Sequence, residues 1–321
     1  MKKEMGVAVL LVVLCAIVAI LNPRFLGTAN LHNMARLIGM FGIFSIGSGL
    51  VIITGGIDLS IGSMFALQGV LLAIMLRQWH WFWAAAVLAI IVGTMGLGSI
   101  HGFLITKARL QPFIVTLCGL LFYRGLARYI ANDETKGFGS EQFGPLRTLA
   151  TGEVFSVPMP FIALLVIAVV MWIVLHRSVY GRYLFAVGHN EEAARYAGIN
   201  SRTIVASAYI VAGALTGVAG ILLAFYTNSI SPSTHGSFYE LYGIAAAVLG
   251  GCSLRGGEGS ILGIVIGTAL LQVLQNLVNL LGIPSSLNFA VMGAVILIGV
   301  LADELLASRR RSRQMNIVAN R

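Results

Sequence analysis

The feature that most constrains this chain is a series of long apolar runs separated by short polar connections. Ten runs follow one another, at 5–21, 37–53, 61–76, 81–105, 113–130, 161–175, 203–227, 240–250, 261–281 and 288–306. A helix that crosses the hydrocarbon core of a bilayer needs about 20 mostly apolar residues. The pattern therefore predicts an all-α, polytopic integral membrane bundle of about ten transmembrane helices. The run at 240–250 is too short to cross alone, so nine spans plus a broken or re-entrant half-helix is the alternative.

The composition agrees with a membrane protein and excludes a soluble globule. Hydrophobic residues make up 58% of the 321 positions and charged residues only 10%, whereas soluble domains carry about 25% charged residues. The 38 glycines suit helix packing in lipid, because small residues let backbones approach closely. The three cysteines show no metal-ligand spacing, so we interpret them as packing residues: Cys15, Cys118 and Cys252.

The net charge of +9 indicates orientation rather than a nucleic-acid partner. The basic residues lie at the ends of apolar runs and form no patch interleaved with aromatic residues. Because Lys and Arg are enriched in cytoplasmic loops, the side that holds most of the 21 basic residues should be the cytoplasmic one. With ten spans, both termini and the segment at 188–200 lie on that side, and the long loop at about 131–160 lies outside.

A polar segment between the sixth and seventh runs carries the signals of one short helix. Asn190 is a favourable N-cap, and Gly198 can adopt the left-handed conformation that closes a helix. Two glutamates lie in the first turn, where the helix dipole favours negative charge, and two alanines leave room for a partner. The alternative is an ordinary solvated connector. We interpret the segment as a docking helix, with these candidate residues: Asn190, Glu191, Glu192, Ala193, Ala194, Arg195 and Gly198.

A second polar interruption lies between the second and third runs, at 54–63. Its paired glycines should break the helix and expose backbone polar groups, which membrane depth tolerates only where protein or a water-filled cavity satisfies them. Asp58 either caps the following helix or lines or gates a pathway, since acidic groups near a membrane are costly to bury. A short echo at 250–254 indicates either an internal repeat or coincidence. The pathway or gating candidates are Gly55, Gly56, Asp58, Ser60, Gly250 and Gly251.

Several motifs together resemble one transport family. Residues 192–198 fit the EAA-x3-G motif of ATP-binding cassette (ABC) importer permeases. The run GGIDLSIGS at 55–63 looks like a signature of the ribose/xylose/galactose branch, the carbohydrate uptake permeases. In the same order along the chain, further stretches fit this branch: QPFIVTL at 111–117, GRYLFAVG at 181–188, IAAAVLGGCSL at 244–254 and NLVNLLG at 276–282.

The resemblance covers residues 22–304 and departs from the pattern at two places. No Ile-x-Leu-Pro follows Gly198, so the importer motif matches in its first half, a feature that members of the sugar branch share. Cys252 stands where Gly or Thr is expected in relatives, so the substrate of a relative is not transferred directly.

The resemblance implies a single type II ABC importer-like permease domain over 1–321 in a bacterial inner membrane. Its coupling helix would dock on a separate ATPase, and its solute would be a monosaccharide, a ribose-like pentose or a hexose. The implied partners are the ATPase, a second permease copy or a paralogue, a periplasmic sugar-binding protein and membrane lipid, with no nucleic acid. No Gly-x4-Gly-Lys-Ser/Thr phosphate loop occurs. We therefore expect this chain to bind no cofactor, with ATP and Mg²⁺ held by the partner.

Two other function classes compete with this interpretation. An ion-coupled secondary transporter of a small polar solute needs ionisable groups at mid-membrane, whereas the few candidates lie at predicted span ends: Asp58, Glu240, Arg124 and Arg128. A membrane enzyme has less support, because the six histidines are scattered and form no zinc or nucleophile motif. We therefore predict no catalytic residue and no metal site.

Overall fold

The computed structural model describes residues 2–139 and 143–284, together with isolated positions between 287 and 297. A 3-10 turn (Pro23–Leu26) follows the first helix, and a two-stranded hairpin joins β1 (Glu153–Val154) to β2 (Val157–Pro158). The helices in chain order are α1 (Lys2–Leu21), α2 (Thr28–Ile53), α3 (Ile61–Arg77), α4 (Trp83–Thr106), α5 (Pro112–Ala131), α6 (Gly144–Thr151), α7 (Met159–Arg177), α8 (Val179–His189), α9 (Glu191–Tyr196), α10 (Ser201–Thr227), α11 (Tyr239–Leu249) and α12 (Ile261–Leu280).

Seven helices in the described ranges are long and apolar enough to cross a membrane, namely α1, α2, α4, α5, α7, α10 and α12. The prediction of a helical membrane bundle is confirmed, but the count of about ten spans is not. The third predicted span is a helix of 17 residues and the eighth a helix of 11 residues. At about 1.5 Å per residue, α11 reaches only about half of a hydrocarbon core of about 30 Å. The tenth predicted span, 288–306, lies outside the described ranges.

Two helices, α2 and α10, form the centre of the bundle. Most of their residues are buried inside the protein, whereas most residues of α1, α4 and α7 are not buried. A helix that is apolar all round yet exposed suits a lipid-facing position. Close packing of α4 on α10 depends on small residues: Gly213 lies against the backbone of Thr94, and Gly98 lies against the carbonyl of Tyr209.

The long connection predicted at 131–160 is partly structured. It contains α6 and the β1–β2 hairpin. Glu153 in β1 contacts Arg36 and His32 of α2, with nitrogen–oxygen distances of 3.2 Å in both pairs. Lys136 forms backbone hydrogen bonds in both directions with Ile230, which follows α10. The connection is therefore fixed to α2 and to the segment after α10 rather than free in solvent.

Candidate coupling helix and gating segment

The docking helix predicted around residues 190–198 forms as α9, and both of its caps are local. The Asn190 side-chain oxygen accepts a hydrogen bond from the N–H of Ala193 at 2.9 Å, which confirms Asn190 as the N-cap. After the last turn, the N–H of Gly198 donates to the carbonyl of Arg195 and the N–H of Ile199 to that of Ala194, each at 3.0 Å. Gly198 has a φ of +83°. This closure is a Schellman motif.

The faces of α9 differ in what they contact. Ala194 is buried, with 4% of its surface exposed, so it seats α9 on the bundle. The Glu191 carboxylate accepts a hydrogen bond at 3.0 Å from Ser201, the first residue of α10. Glu192 accepts only a long bond of 3.5 Å from the exposed Tyr196. Ala193 and Arg195 are also exposed. Glu191 thus holds the helix in place, while the face with Glu192 points away from the protein.

The predicted gating segment runs as irregular chain from the end of α2 to the start of α3. Asp58 is buried, and its Oδ1 accepts hydrogen bonds from the N–H of Ser60 at 2.8 Å and from the Ser60 hydroxyl at 2.6 Å. The N-cap of α3 is Ser60 itself, which makes no side-chain capping bond. The interpretation of Asp58 as the cap of α3 is therefore wrong. Asp58 lies two residues before the cap position and closes an Asx turn instead.

Neighbouring helices supply hydrogen bonds to the backbone of this irregular segment. The carbonyl oxygen of Ile57 accepts hydrogen bonds from the Thr116 hydroxyl of α5 at 3.2 Å and from the Tyr209 hydroxyl of α10 at 3.4 Å. Beside them, Nε2 of His101 and the hydroxyl of Tyr123 lie 2.8 Å apart. All four side chains are buried. Sequence reasoning missed these residues, although polar side chains inside long apolar runs were the available signal.

Arg124 joins the two short helices of the bundle. Its guanidinium donates to the carbonyl of Gly62 at 3.2 Å, to that of Pro232 at 3.2 Å and to that of His235 at 2.7 Å. Gly62 lies in the first turn of α3, and the other two carbonyls belong to the irregular segment before α11. Arg124 lies about two turns inside α5, not at a span end as predicted. It supplies donors to irregular backbone that a bilayer would leave unsatisfied.

The second glycine break lies at the end of α11. Gly250 is the C-cap of α11 and packs against the backbone of Gly263 in α12. Gly251 follows with a φ of +94°. The loop that comes next returns to the first break, where the N–H of Gly257 donates to the carbonyl of Ile53 at 2.9 Å. The structure therefore brings the two glycine breaks predicted from sequence into the same region.

Comparison with known proteins assigns the chain to a transport family. The profile of the family described as the branched-chain amino acid transport system permease component matches residues 30–300. The chain belongs to this permease family. The permease is 39% identical over 305 residues to the ribose import permease protein RbsC of Bacillus subtilis, a match that covers 94% of this chain and 92% of the relative. No solved structure matches it.

Two further relatives show the same extent of similarity. The ribose import permease protein RbsC of Haemophilus influenzae is 35% identical over 302 residues, which are 94% of this chain and 93% of the relative. The D-allose transport system permease protein AlsC of Escherichia coli is 31% identical over 305 residues, which are 94% and 92% of the two chains. The similarity to carbohydrate permeases found in the motifs is thus confirmed over nearly the whole chain.

The permease is the membrane subunit of an ABC importer and not an enzyme. It is a multi-pass inner-membrane protein. An importer of this class implies an ATPase partner and a substrate-binding protein. The alternative of an ion-coupled secondary transporter is therefore not supported.

Proposed function

We propose that the permease imports a monosaccharide, with ribose as the first candidate. The observation that carries this proposal is the set of relatives named for ribose, D-allose and L-arabinose transport, which match at 39%, 31% and 30% identity over more than nine-tenths of this chain. All three solutes are monosaccharides, and among these three relatives identity is highest for the ribose permease. The family description refers to branched-chain amino acids, so an amino acid is the competing solute.

Uptake into proteoliposomes tests the solute directly. The permease is reconstituted with its ATPase and its binding protein, and uptake of radiolabelled D-ribose is measured with and without ATP inside the vesicles. We expect ATP-dependent ribose uptake that excess D-allose reduces and excess L-leucine does not. Uptake of leucine instead of ribose, or ribose uptake that follows an ion gradient without ATP, would contradict the proposal.

We further propose that α9 is the site where the ATPase docks. Three observations support this role: the exposed face with Ala193 and Glu192, the caps at both ends of the helix and the burial of Ala194 against the bundle. A docking helix must keep its conformation when its partner moves. The charge asymmetry of the loops supports a cytoplasmic position for α9 and for both termini. ATP and Mg²⁺ would bind to the ATPase, since this sequence has no phosphate loop.

The complete importer would contain two permeases, either two copies of this chain or this chain with a paralogue. A periplasmic sugar-binding protein would deliver the solute at the side that carries α6 and the β1–β2 hairpin. The irregular segment at 55–60 is our candidate for gating, because it lies inside the bundle and leads into the short helix α3. The Ile57 carbonyl is held by the hydroxyls of Thr116 and Tyr209, and the Asp58 carboxylate by Ser60. A helix movement can exchange or release these bonds.

A further inference from the structure

Three segments that are far apart in the sequence meet beside the start of α9. They are the end of α2 with its turn (53–55), the residues ahead of α9 (188–189) and part of the loop between α11 and α12 (256–257). The hydrogen bond from the Gly257 N–H to the Ile53 carbonyl, at 2.9 Å, joins two of them. The segments therefore touch through backbone atoms, and we call this contact the glycine junction.

Gly188 and Gly256 are the residues that permit the contact. A Cβ atom on Gly188 would overlap the carbonyl oxygen of Ile53 and would lie 2.6 Å from the nitrogen of Gly257. A Cβ atom on Gly256 would lie 2.6 Å from the carbonyl oxygen of Gly188 and 3.0 Å from the nitrogen of Gly55. Real Cβ atoms essentially never approach other atoms closer than 3.0 Å. Any larger residue must therefore push the segments apart.

We propose that the glycine junction is the mechanical link through which a movement of α9 reaches the gating segment at 55–60. Gly188 and Gly256 are its positioning residues. The inference rests on the proposed docking of an ATPase on α9. The segment at 53–55 continues directly into 55–60, where Asp58 and Ser60 lie. Residues 188 and 189 form the end of α8, one residue before α9. Because protein interiors are close-packed and hardly compressible, a displacement of α9 that moves this end of α8 also displaces the two segments in backbone contact with it.

The junction also reaches the second glycine break. The loop at 256–257 connects α11 to α12, and Gly250 and Gly251 lie at the beginning of that loop. A single displacement of α9 is therefore transmitted to both segments that carry gating candidates, at 55–60 and at 250–251. A static packing contact would have the same geometry but would not respond to ATP. A static contact and a mechanical link therefore predict different effects on the coupling of ATP hydrolysis to uptake.

Gly188→Ala tests the link, with Gly93→Ala as the matched control. Gly188 is helical without a positive φ, so alanine there changes only the close approach, and a Cβ atom on Gly93 of α4 would meet nothing within 4 Å. Ribose uptake and ATP hydrolysis are measured in the same proteoliposomes. A misplacement of about 1 Å can lower the rate of a step that depends on exact positioning by on the order of a hundred-fold. We therefore expect the amount of ribose imported per ATP hydrolysed to fall at least about ten-fold. ATPase recovery and hydrolysis should stay near those of the parent, and Gly93→Ala should keep the parental ratio.

Hydrogen–deuterium exchange of the parental complex gives a second measurement that needs no variant and no solute. Peptides covering 50–58, 185–190 and 252–260 should change their exchange together when ATP is added, while the peptide around residue 93 should not. A change confined to 185–190, or a parental uptake-to-hydrolysis ratio in Gly188→Ala, would overturn the link. If Gly188→Ala does not assemble, the exchange result decides. Lack of ribose uptake by the parent would contradict the proposed solute and leave the exchange test intact.

Discussion

Asp58 shows how one carboxylate organises the entry into α3. It is buried, and a single oxygen accepts two hydrogen bonds from Ser60, one from the backbone and one from the hydroxyl. If that acceptor is removed, the N–H of Ser60 loses its partner, and the hydroxyl keeps only its longer contact with the Met64 sulfur, at 3.4 Å. An unsatisfied buried donor costs about 1–3 kcal/mol. The contribution of the turn geometry to stability can therefore be separated from any contribution of the carboxylate charge to gating.

Substitution of Asp58 separates these contributions. Asparagine has nearly the same shape as aspartate, so Asp58→Asn retains an oxygen that can accept the same bonds. We therefore expect the free energy of unfolding, measured by heating in detergent, to change by less than about 1 kcal/mol. Asp58→Ala removes the oxygen that accepts from Ser60, so we expect the free energy of unfolding to fall by about 2–3 kcal/mol. If the charge acts in gating, ribose uptake by Asp58→Asn should fall while membrane expression holds. Parental uptake in that variant would remove Asp58 from the gating candidates and leave it a structural role.

At the scale of secondary-structure elements, α9 is a helix of 6 residues held by its own caps and by two contacts with the bundle. Isolated helices of this length are unstable in water. The stability of α9 therefore comes from specific contacts rather than from helix propensity. These are the Asn190 cap, the closure at Gly198, the buried Ala194 and the Glu191–Ser201 hydrogen bond. Changes on the exposed face should therefore affect a partner, and changes at the closure should affect the helix itself.

Three variants distinguish these effects by the amount of ATPase that copurifies with the permease. An exposed ion pair is worth about 0–1 kcal/mol, so we expect Glu192→Lys to lower recovery by up to about five-fold, and a complete loss would mean repulsion or a buried contact in the interface. Gly198→Val should also lower recovery, since a β-branched residue opposes the φ of +83°. Glu191→Gln is the control, because its amide oxygen still accepts from Ser201. If the first two variants copurify and transport as the parent does, α9 is a plain connector, and docking must be sought at 107–109 or Arg255.

A long-range contact joins the starts of the short helices α3 and α11. Neither has a side-chain capping bond. Both begin beside Arg124, which donates to the first turn of α3 and to the segment ahead of α11. Because the guanidinium presents several donors in a fixed fork, one side chain can satisfy three carbonyls. This explains why a charged residue is retained inside a helix of a membrane bundle.

For the whole molecule, orientation in the membrane is the property on which the proposed roles of α9 and the β1–β2 hairpin both depend. The hairpin lies at one end of the bundle, bound to the beginning of α2 through Glu153 and Arg36. The glycine junction and α9 lie beside the other end of α2. Arg36 and Ile53 are 17 residues apart on α2, which corresponds to about 26 Å along the helix axis. Because the two sites lie toward opposite ends of α2, we expect them to face opposite sides of the membrane.

Labelling of single cysteines tests which side is which. The sequence alone suggests Ser140 in the loop at 131–160 and Ser308 near the C-terminus as labelling positions, but both lie outside the described ranges. Phe155 in the hairpin turn is 97% exposed and Tyr196 in α9 is 85% exposed, so they offer a matched pair once Cys15, Cys118 and Cys252 are replaced. We expect a membrane-impermeant thiol reagent added to intact cells to label Phe155→Cys and to spare Tyr196→Cys. Equal labelling of both, or the reverse pattern, would contradict cytoplasmic placement of α9.

The sequence by itself determined the class of the protein, most of its helices and the local structure of α9. These features depend on interactions within a few residues or on the total apolar length of a segment, which are present in the sequence. Asn190 and Gly198 were assigned correctly because helix caps involve neighbours three to five positions away. For Asp58 the sequence leaves a cap of α3 and a gating role as alternatives, and the structure excludes the cap because α3 begins two residues later, after Ser60.

The tertiary structure alone decided which segments lie together. The donors to Ile57 come from α5 and α10, the carbonyls bound by Arg124 come from α3 and the segment before α11, and the glycine junction joins residues 53, 188 and 257. Nothing in the local sequence fixes these pairings, because each depends on how whole helices pack. The sequence shows that polar groups and glycines interrupt the apolar runs. Which partner satisfies each group is set by the packing of the bundle, since no water is present in the bilayer core to replace that partner.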